Sequence, residues 1–176
     1  LPSFLRVDRI IRNIVATGDA LPRDSVSPTV LPGKPSAGRM AVAVGADAAT
    51  TLAPENALRY APYIDVLKAV DSKVAAAVYL KHYPLFQQAY QELGYPNGYF
   101  NDRLVQVIDV LLATPDVQGP IKLEQPKVVY VYADPALQAL PAGQKILLRI
   151  GHDNTVIVKA KLHEFRGHIV RAPPNK

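Results

Sequence analysis

The sequence predicts a mainly α fold with a small β element of two or three short strands, a single compact helical domain over residues 1–176. Three observations carry this. Hydrophobic residues make up 49% of the chain and charged residues 20%, which suits a packed core rather than disorder. Apolar side chains recur at helical spacing through most of the length, while strand-like runs are confined to MAVAV and VVYVY. Sixteen prolines divide the chain into short elements. A chain of this size buries about 70% of its unfolded surface.

Taken in order, Ser3 is placed to cap a helix from Phe4 to Thr17, with Leu5, Ile10, Ile11, Ile14 and Val15 on its apolar side. Arg6, Arg9 and Arg12 lie along another face. Pro22, Pro28, Pro32 and Pro35 make residues 18–38 an extended Pro-rich connector laid across the surface. MAVAV at 40–44 reads as a strand and the following GADAATTLAP as a loop. Pro62 suits the first turn of a helix over Tyr63 to Val70, where no intrahelical N–H is needed.

Asp71 or Ser72 then caps a longer helix reaching Leu93, ended by Gly94 in the left-handed position. Inside it Pro84 removes a hydrogen bond and meets the Leu80 carbonyl, a cost of about 3 kcal/mol that predicts a kink or break near His82. Pro96 and Asn97-Gly98 form a turn, and Asn101 caps a helix from Asp102 to Ala113. Leu104, Val107, Ile108, Leu111 and Leu112 face the core from it, and Pro115 stops it. After a Pro/Gly loop, VVYVY at 128–132 is the clearest strand. Asp134-Pro135 opens a short helix, residues 145–149 run helically to Gly151, and Asp153 or Asn154 caps a last helix through Ile169.

Several chemistries find no footing. Without cysteine there is no disulfide, thiolate nucleophile or cysteine-based zinc site. The five serines include none in G-x-S-x-G, and Gly33-Lys34 lacks the spacing of a phosphate loop. His163 and His168, five apart, project about 140° from each other on a helix, and His82 and His152 stand elsewhere, so neither a metal nor a cofactor is expected. Asp65 with Asp71, or Asp102 with Asp109, could pair as hydrolytic carboxylates only in a cleft with raised pKa values. The net charge of +5 is concentrated between Lys145 and Lys176, where seven Lys/Arg face two acids and a single aromatic, Phe165. Because the tyrosine-rich centre is nearly neutral, the interleaving that nucleic-acid binding needs is missing. No apolar run reaches the ~20 residues that cross a bilayer.

The tyrosines remain. In YLKHYPLFQQAYQELGYPNGYFNDR, residues Tyr79, Tyr83, Phe86 and Tyr90 recur at spacings of four, three and four and so line one helical face. Buried tyrosine hydroxyls require partners. Arg59, Tyr60, Tyr83, Tyr90, Asn101, Arg103, Asp109, Lys145 and Arg149 are the candidate residues, either as a polar network linking helices or as a pocket facing a ligand or partner.

YPLFQQAYQELGYPNGYFNDRLVQVIDVLLATP resembles the signature of the bacterial domain of unknown function numbered three thousand and fourteen. DALPR at 19–23, ENALRYAPY at 55–63, YADPALQALPAGQKILLRIG at 132–151 and the KAKLHEFR helix fit the same pattern. The departures are local, around Gly18-Asp19-Ala20 and at His152, where the family pattern has a proline. The resemblance implies a domain held outside the inner membrane of Gram-negative bacteria by an upstream transmembrane helix and a Pro-rich linker. It brings no catalytic residues with it. Because the first residue is Leu1 rather than methionine, such an anchor is expected upstream of it.

The expectation is therefore a non-catalytic binding or assembly module on the periplasmic face of the inner membrane, an accessory subunit of a larger envelope or membrane-protein complex. Its contact surfaces would be the Pro-rich segment and the basic C-terminal helix. The alternative is recognition of a periplasmic glycan or lipid headgroup by the tyrosine-lined helices, and a hydrolase ranks third.

Overall fold

The computed structural model describes residues 9–33 and 36–171. The Ser3 cap, Leu5, Arg6 and Pro35, together with the start of the helix expected from Phe4, fall outside these residues. Eight α-helices are present among the described residues: α1 (Ile10–Ala20), α2 (Ala61–Ala69), α3 (Ser72–Lys81), α4 (Tyr83–Glu92), α5 (Phe100–Leu112), α6 (Pro135–Gln138), α7 (Ala142–Arg149) and α8 (His152–Arg171). Four short strands, β1 (Val42–Val44), β2 (Thr50–Leu52), β3 (Lys122–Glu124) and β4 (Val131–Tyr132), form one antiparallel sheet in the order β1-β2-β3-β4. The fold is mainly α with a small sheet.

The break expected at Pro84 is found where the sequence puts it. His82 separates α3 from α4, and Pro84 occupies the first turn of α4, where its missing N–H costs nothing. Asp71 caps α3 by accepting from the Val74 N–H at 2.8 Å, and Asp134 caps α6 from Ala136 at the same distance. Gly94, at φ +113°, closes α4 in the left-handed region.

Other expectations are corrected. Gly18 does not end α1, which runs on to Ala20, so the connector begins three residues later. Thr50–Leu52 is a strand rather than loop, and β3 lies in what reads as a Pro/Gly loop, giving four strands instead of two or three. These strands are two or three residues long and take their identity from pairing: Val42 opposite Leu52, Thr50 opposite Leu123, Leu123 opposite Tyr132. Val128 and Val129 leave the expected VVYVY strand, 89% and 67% exposed, because the β3–β4 turn needs them. Asn101 lies inside α5 with its side chain buried rather than capping it, and Tyr99 holds the N-terminal flanking position. A 3-10 helix, Pro54–Tyr60, leads into α2.

The core falls into three connected parts. Tyr79, Tyr83, Tyr90, Phe100, Ile108, Val15 and Ile169 fill the space between α1, α3, α4, α5 and α8. Ile64, Val107, Leu111, Leu147 and Ile150 join α2, α5 and α7. Ile121, Leu123, Tyr132 and Leu148 seal the sheet against α7. Apolar burial at about 25 cal/mol per Å2 drives all three.

Gly143 permits the closest approach. Its N–H bonds the Leu21 carbonyl at 2.8 Å, and an added Cβ would fall 2.6 Å from Leu111 Cδ2 and 3.2 Å from the Leu21 carbonyl oxygen. Gly143→Ala is expected to destabilise the domain by about 1–3 kcal/mol through overpacking, measured as a lowered urea midpoint with an unchanged slope.

Candidate functional site

The tyrosine face is built inward. Tyr79 is 6% exposed and meets Phe86 and Tyr83 edge to face, with ring centroids 5.2 and 5.9 Å away, while Phe100 lies 6.4 Å away. Its hydroxyl donates to Asn101 Oδ1 at 3.1 Å, which explains why an asparagine is buried inside α5. Tyr83 donates to Gln87 Oε1 at 2.8 Å. That same oxygen accepts from the Phe100 N–H at 2.9 Å, and Gln87 Nε2 reaches the Gly98 carbonyl at 2.7 Å. One glutamine thus fixes the turn between α4 and α5 and does the capping expected of Asn101. Tyr90 stacks on Tyr95 at 4.6 Å, over Gly98, where a Cβ would come within 3.0 Å of its ring.

Arg103 belongs to a second network around Asp19, which is 3% exposed. Arg103 Nε donates to Asp19 Oδ1 at 3.0 Å and Nη2 to the Asp19 carbonyl at 2.8 Å. Arg23 donates to the other carboxylate oxygen, and the Tyr95 hydroxyl donates to it at 3.2 Å while accepting from Arg23 at 2.8 Å. Asp19 is a central residue that the candidate set lacks. Its signal was Arg23, four positions on in DALPR, a spacing that brings the two side chains together on a helix.

Arg59 organises a third network. Its guanidinium donates to Asn56 Oδ1 at 2.9 Å, Ser36 Oγ at 3.0 Å and the carbonyls of Ala37 and Gly38 at 3.0 and 2.9 Å. Asn56, fully buried, also accepts from the Ala41 N–H and donates to the Arg149 carbonyl at 2.8 Å. The end of the connector, β1 and α7 are therefore joined through one side chain. Tyr60 packs half-buried beside Ile64, with the Arg59 guanidinium 5.7 Å from its ring.

The remaining candidates lie elsewhere. Tyr132 donates to the Lys145 carbonyl at 2.8 Å, Lys145 Nζ reaches the Gln138 carbonyl at 3.2 Å, and the Arg149 guanidinium sits 5.8 Å from the Tyr132 ring. Asp109 holds Arg166 of α8 through both carboxylate oxygens at 2.6 and 3.1 Å. Thus the nine candidates form several internal networks rather than one pocket. One carboxylate of each pair weighed for hydrolysis is likewise engaged: Asp109 with Arg166, and Asp71 as a cap, with the Val74 N–H holding its carboxyl below the usual range. Among the described residues no group of three or more metal-ligating side chains occurs.

Beside α3 the helices leave an apolar opening. A groove of about 720 Å3 runs along α3, bordered by Ile14 of α1, Val70, Val74 and Val78, and floored by Phe86, Phe100, Leu104 and Phe165. Val74 and Val78 are 61% and 54% exposed. Val74 and Val78 stand one turn apart on α3, with Val70 at the extended end of α2 bordering the same groove, an exposed apolar patch that no amphipathic core requires.

Fold and site together define a small helical domain whose buried polar residues fasten its own elements and which leaves an apolar groove open beside α3. The chain matches, over residues 10–166, the family described as protein of unknown function (DUF3014), and it belongs to that family. No curated protein and no solved structure matches it. No helix among the described residues is long and apolar enough to cross a membrane.

Two outcomes follow from the networks. Asp19→Ala leaves the half-buried Arg103 without its carboxylate and is expected to lower stability by about 3–5 kcal/mol, read by thermal and urea unfolding. Burial pushes the Tyr132 hydroxyl up to about 12, and pushes those of Tyr79 and Tyr90 up as well. Folding holds these phenols protonated, so their contribution is complete below the ordinary value of about 10 and is lost as pH rises through the folded values. Through Tyr132, stability is expected to fall between about pH 10 and 12 by up to about 1.4 kcal/mol per pH unit. Urea melts across that range measure the slope, which Tyr132→Phe should flatten.

Proposed function

We propose that the domain is a non-catalytic binding and assembly module that docks a helix of a membrane-protein partner, as an accessory subunit of a larger complex on the periplasmic face of the inner membrane. The observation that carries this reading is the exposed valine stripe above the α3 groove. A ridge of side chains four residues apart is the shape that an apolar helix packs against. Truly buried positions would not leave Val74 and Val78 more than half exposed. Desolvating such a stripe supplies roughly 25 cal/mol per Å2 of apolar surface covered. The membrane setting rests on the family resemblance and on the anchor it implies.

The rival reading, a glycan or lipid headgroup held by the tyrosine-lined helices, requires Tyr83 and Tyr90 to face solvent. Both are 6% exposed, and this weighs against it. Hydrolysis has no free carboxylate pair among the residues weighed for it.

The test compares full-length tagged protein, wild type and Val74→Lys/Val78→Lys, recovered from gently solubilised native membranes. A stoichiometric membrane-protein partner is expected with the wild type. It should fall about tenfold with the double variant, whose circular dichroism and thermal midpoint stay unchanged. Recovery of the same partner by both proteins, or of none, overturns the reading. Self-association of the isolated domain that disappears in the variant would instead name a second copy as the occupant.

A further inference from the structure

A cleft of about 570 Å3 opens between the sheet and the α7–α8 corner. Its size lies within the range of small-molecule sites. Pro54, Ala57, Val117, Ile121, Leu148 and Val156 make its walls predominantly apolar. The charged residues that line it come from three elements: Arg149 of α7, His152 and Lys159 of α8, and Asp116 of the loop before β3. Gly151, at φ +91°, makes the corner, and an added Cβ there would meet Ala57 Cβ at 3.0 Å. The close approach of corner and 3-10 helix shapes the back of the cleft.

The charges do not balance. Asp116 is taken by His152, whose Nδ1 lies 2.8 Å from its Oδ1. Lys159 donates to the neutral Thr114 carbonyl, and Arg149 rests against the Tyr132 ring. Among the described residues neither cation is paired with a carboxylate, and both are half-buried, where a charge interacts more strongly than in bulk water. The 20-residue helix α8 also begins at the cleft, with His152 in its first turn, so its positive end adds to the same sign. Asp153, in that turn, is outside the lining. Apolar walls with two cations that no carboxylate pairs favour one ligand class.

The geometry points to a second binding site, in which this cleft holds a small anionic amphiphile: an apolar body against the walls and one carboxylate or phosphate head between Arg149 and Lys159. The valine stripe is not part of it, so the site stands apart from the docking reading.

The experiment is amide-resolved NMR titration of the full chain with octanoate and octyl phosphate, against octanol, octyltrimethylammonium and inorganic phosphate. The expected result is saturable shifts at Gly119, Gly151 and Thr155 with both amphiphilic anions, at least about tenfold tighter than with the other three probes. Arg149→Gln and Lys159→Gln, which remove charge but retain a donor, should each weaken octanoate about tenfold. Val156→Glu places a like charge on an exposed wall position and should do the same, independently of any buried contact. Equal affinity for octanol overturns the part given to the two cations, and equal affinity for inorganic phosphate overturns the apolar wall. Shifts confined to Val74 and Val78, or none that saturate, overturn the site. Tighter binding by octyl phosphate than octanoate supports a phosphate head, and the reverse a carboxylate.

Discussion

A buried carboxylate must be neutralised where it sits, and Asp19 is the point on which the helical half of the domain depends. Its oxygens draw together the end of α1, Arg23 of the connector, Tyr95 of the α4–α5 turn and Arg103 of α5. Removing a charge from water is expensive unless it is paired and hydrogen-bonded. The arrangement therefore tolerates little displacement of any of these four pieces. Aromatic packing fills the space behind it, with Tyr90 stacked on Tyr95 and tilted against Phe100. Hydrophobic burial gives the helices a reason to collapse, and Asp19 fixes how α1 is seated when they do.

Local rules made the helices legible. Pro84 dictates the break at His82 because a proline can occupy only the first turn of a helix without loss. Asp71 and Asp134 cap as their chemistry requires. β1 and β4 lie within the strands expected at 40–44 and 128–132, but β2 and β3 were hidden for the converse reason: a three-residue strand such as Thr50–Leu52 has no room for periodicity, and only its pairing defines it. Asn101 was misread because a side-chain oxygen near a helix start suits a cap equally well as a buried acceptor. Only the presence of the Tyr79 hydroxyl distinguishes the two. The candidate polar residues were identifiable as hydrogen-bonding groups, but their partners, Asp19, Asn56 and Gln87, emerge only in three dimensions.

The surface divides by what the interior has already used. Arg23, Arg59, Arg103, Tyr79, Tyr83 and Tyr95, of the residue types that most often carry recognition, are here engaged in holding the chain to itself. Arg59 clasps the connector through four donated bonds. What remains available is valine along α3 and the unbalanced cations at the α7–α8 corner. A domain built this way separates fastening from contact, so its interaction faces can change while the fold persists.

The pairing of β2 with β3 has one further consequence. About 70 residues of helical sequence separate Leu52 from Lys122, and closing a flexible loop of that length costs about 2 kcal/mol more than closing a five-residue hairpin. Three-residue strands with two paired positions have little to set against that entropy. The helices that intervene must therefore already hold the two ends near each other. The sheet is a dependent of the helical scaffold rather than a platform for it, and it belongs to the last cooperative unit to close.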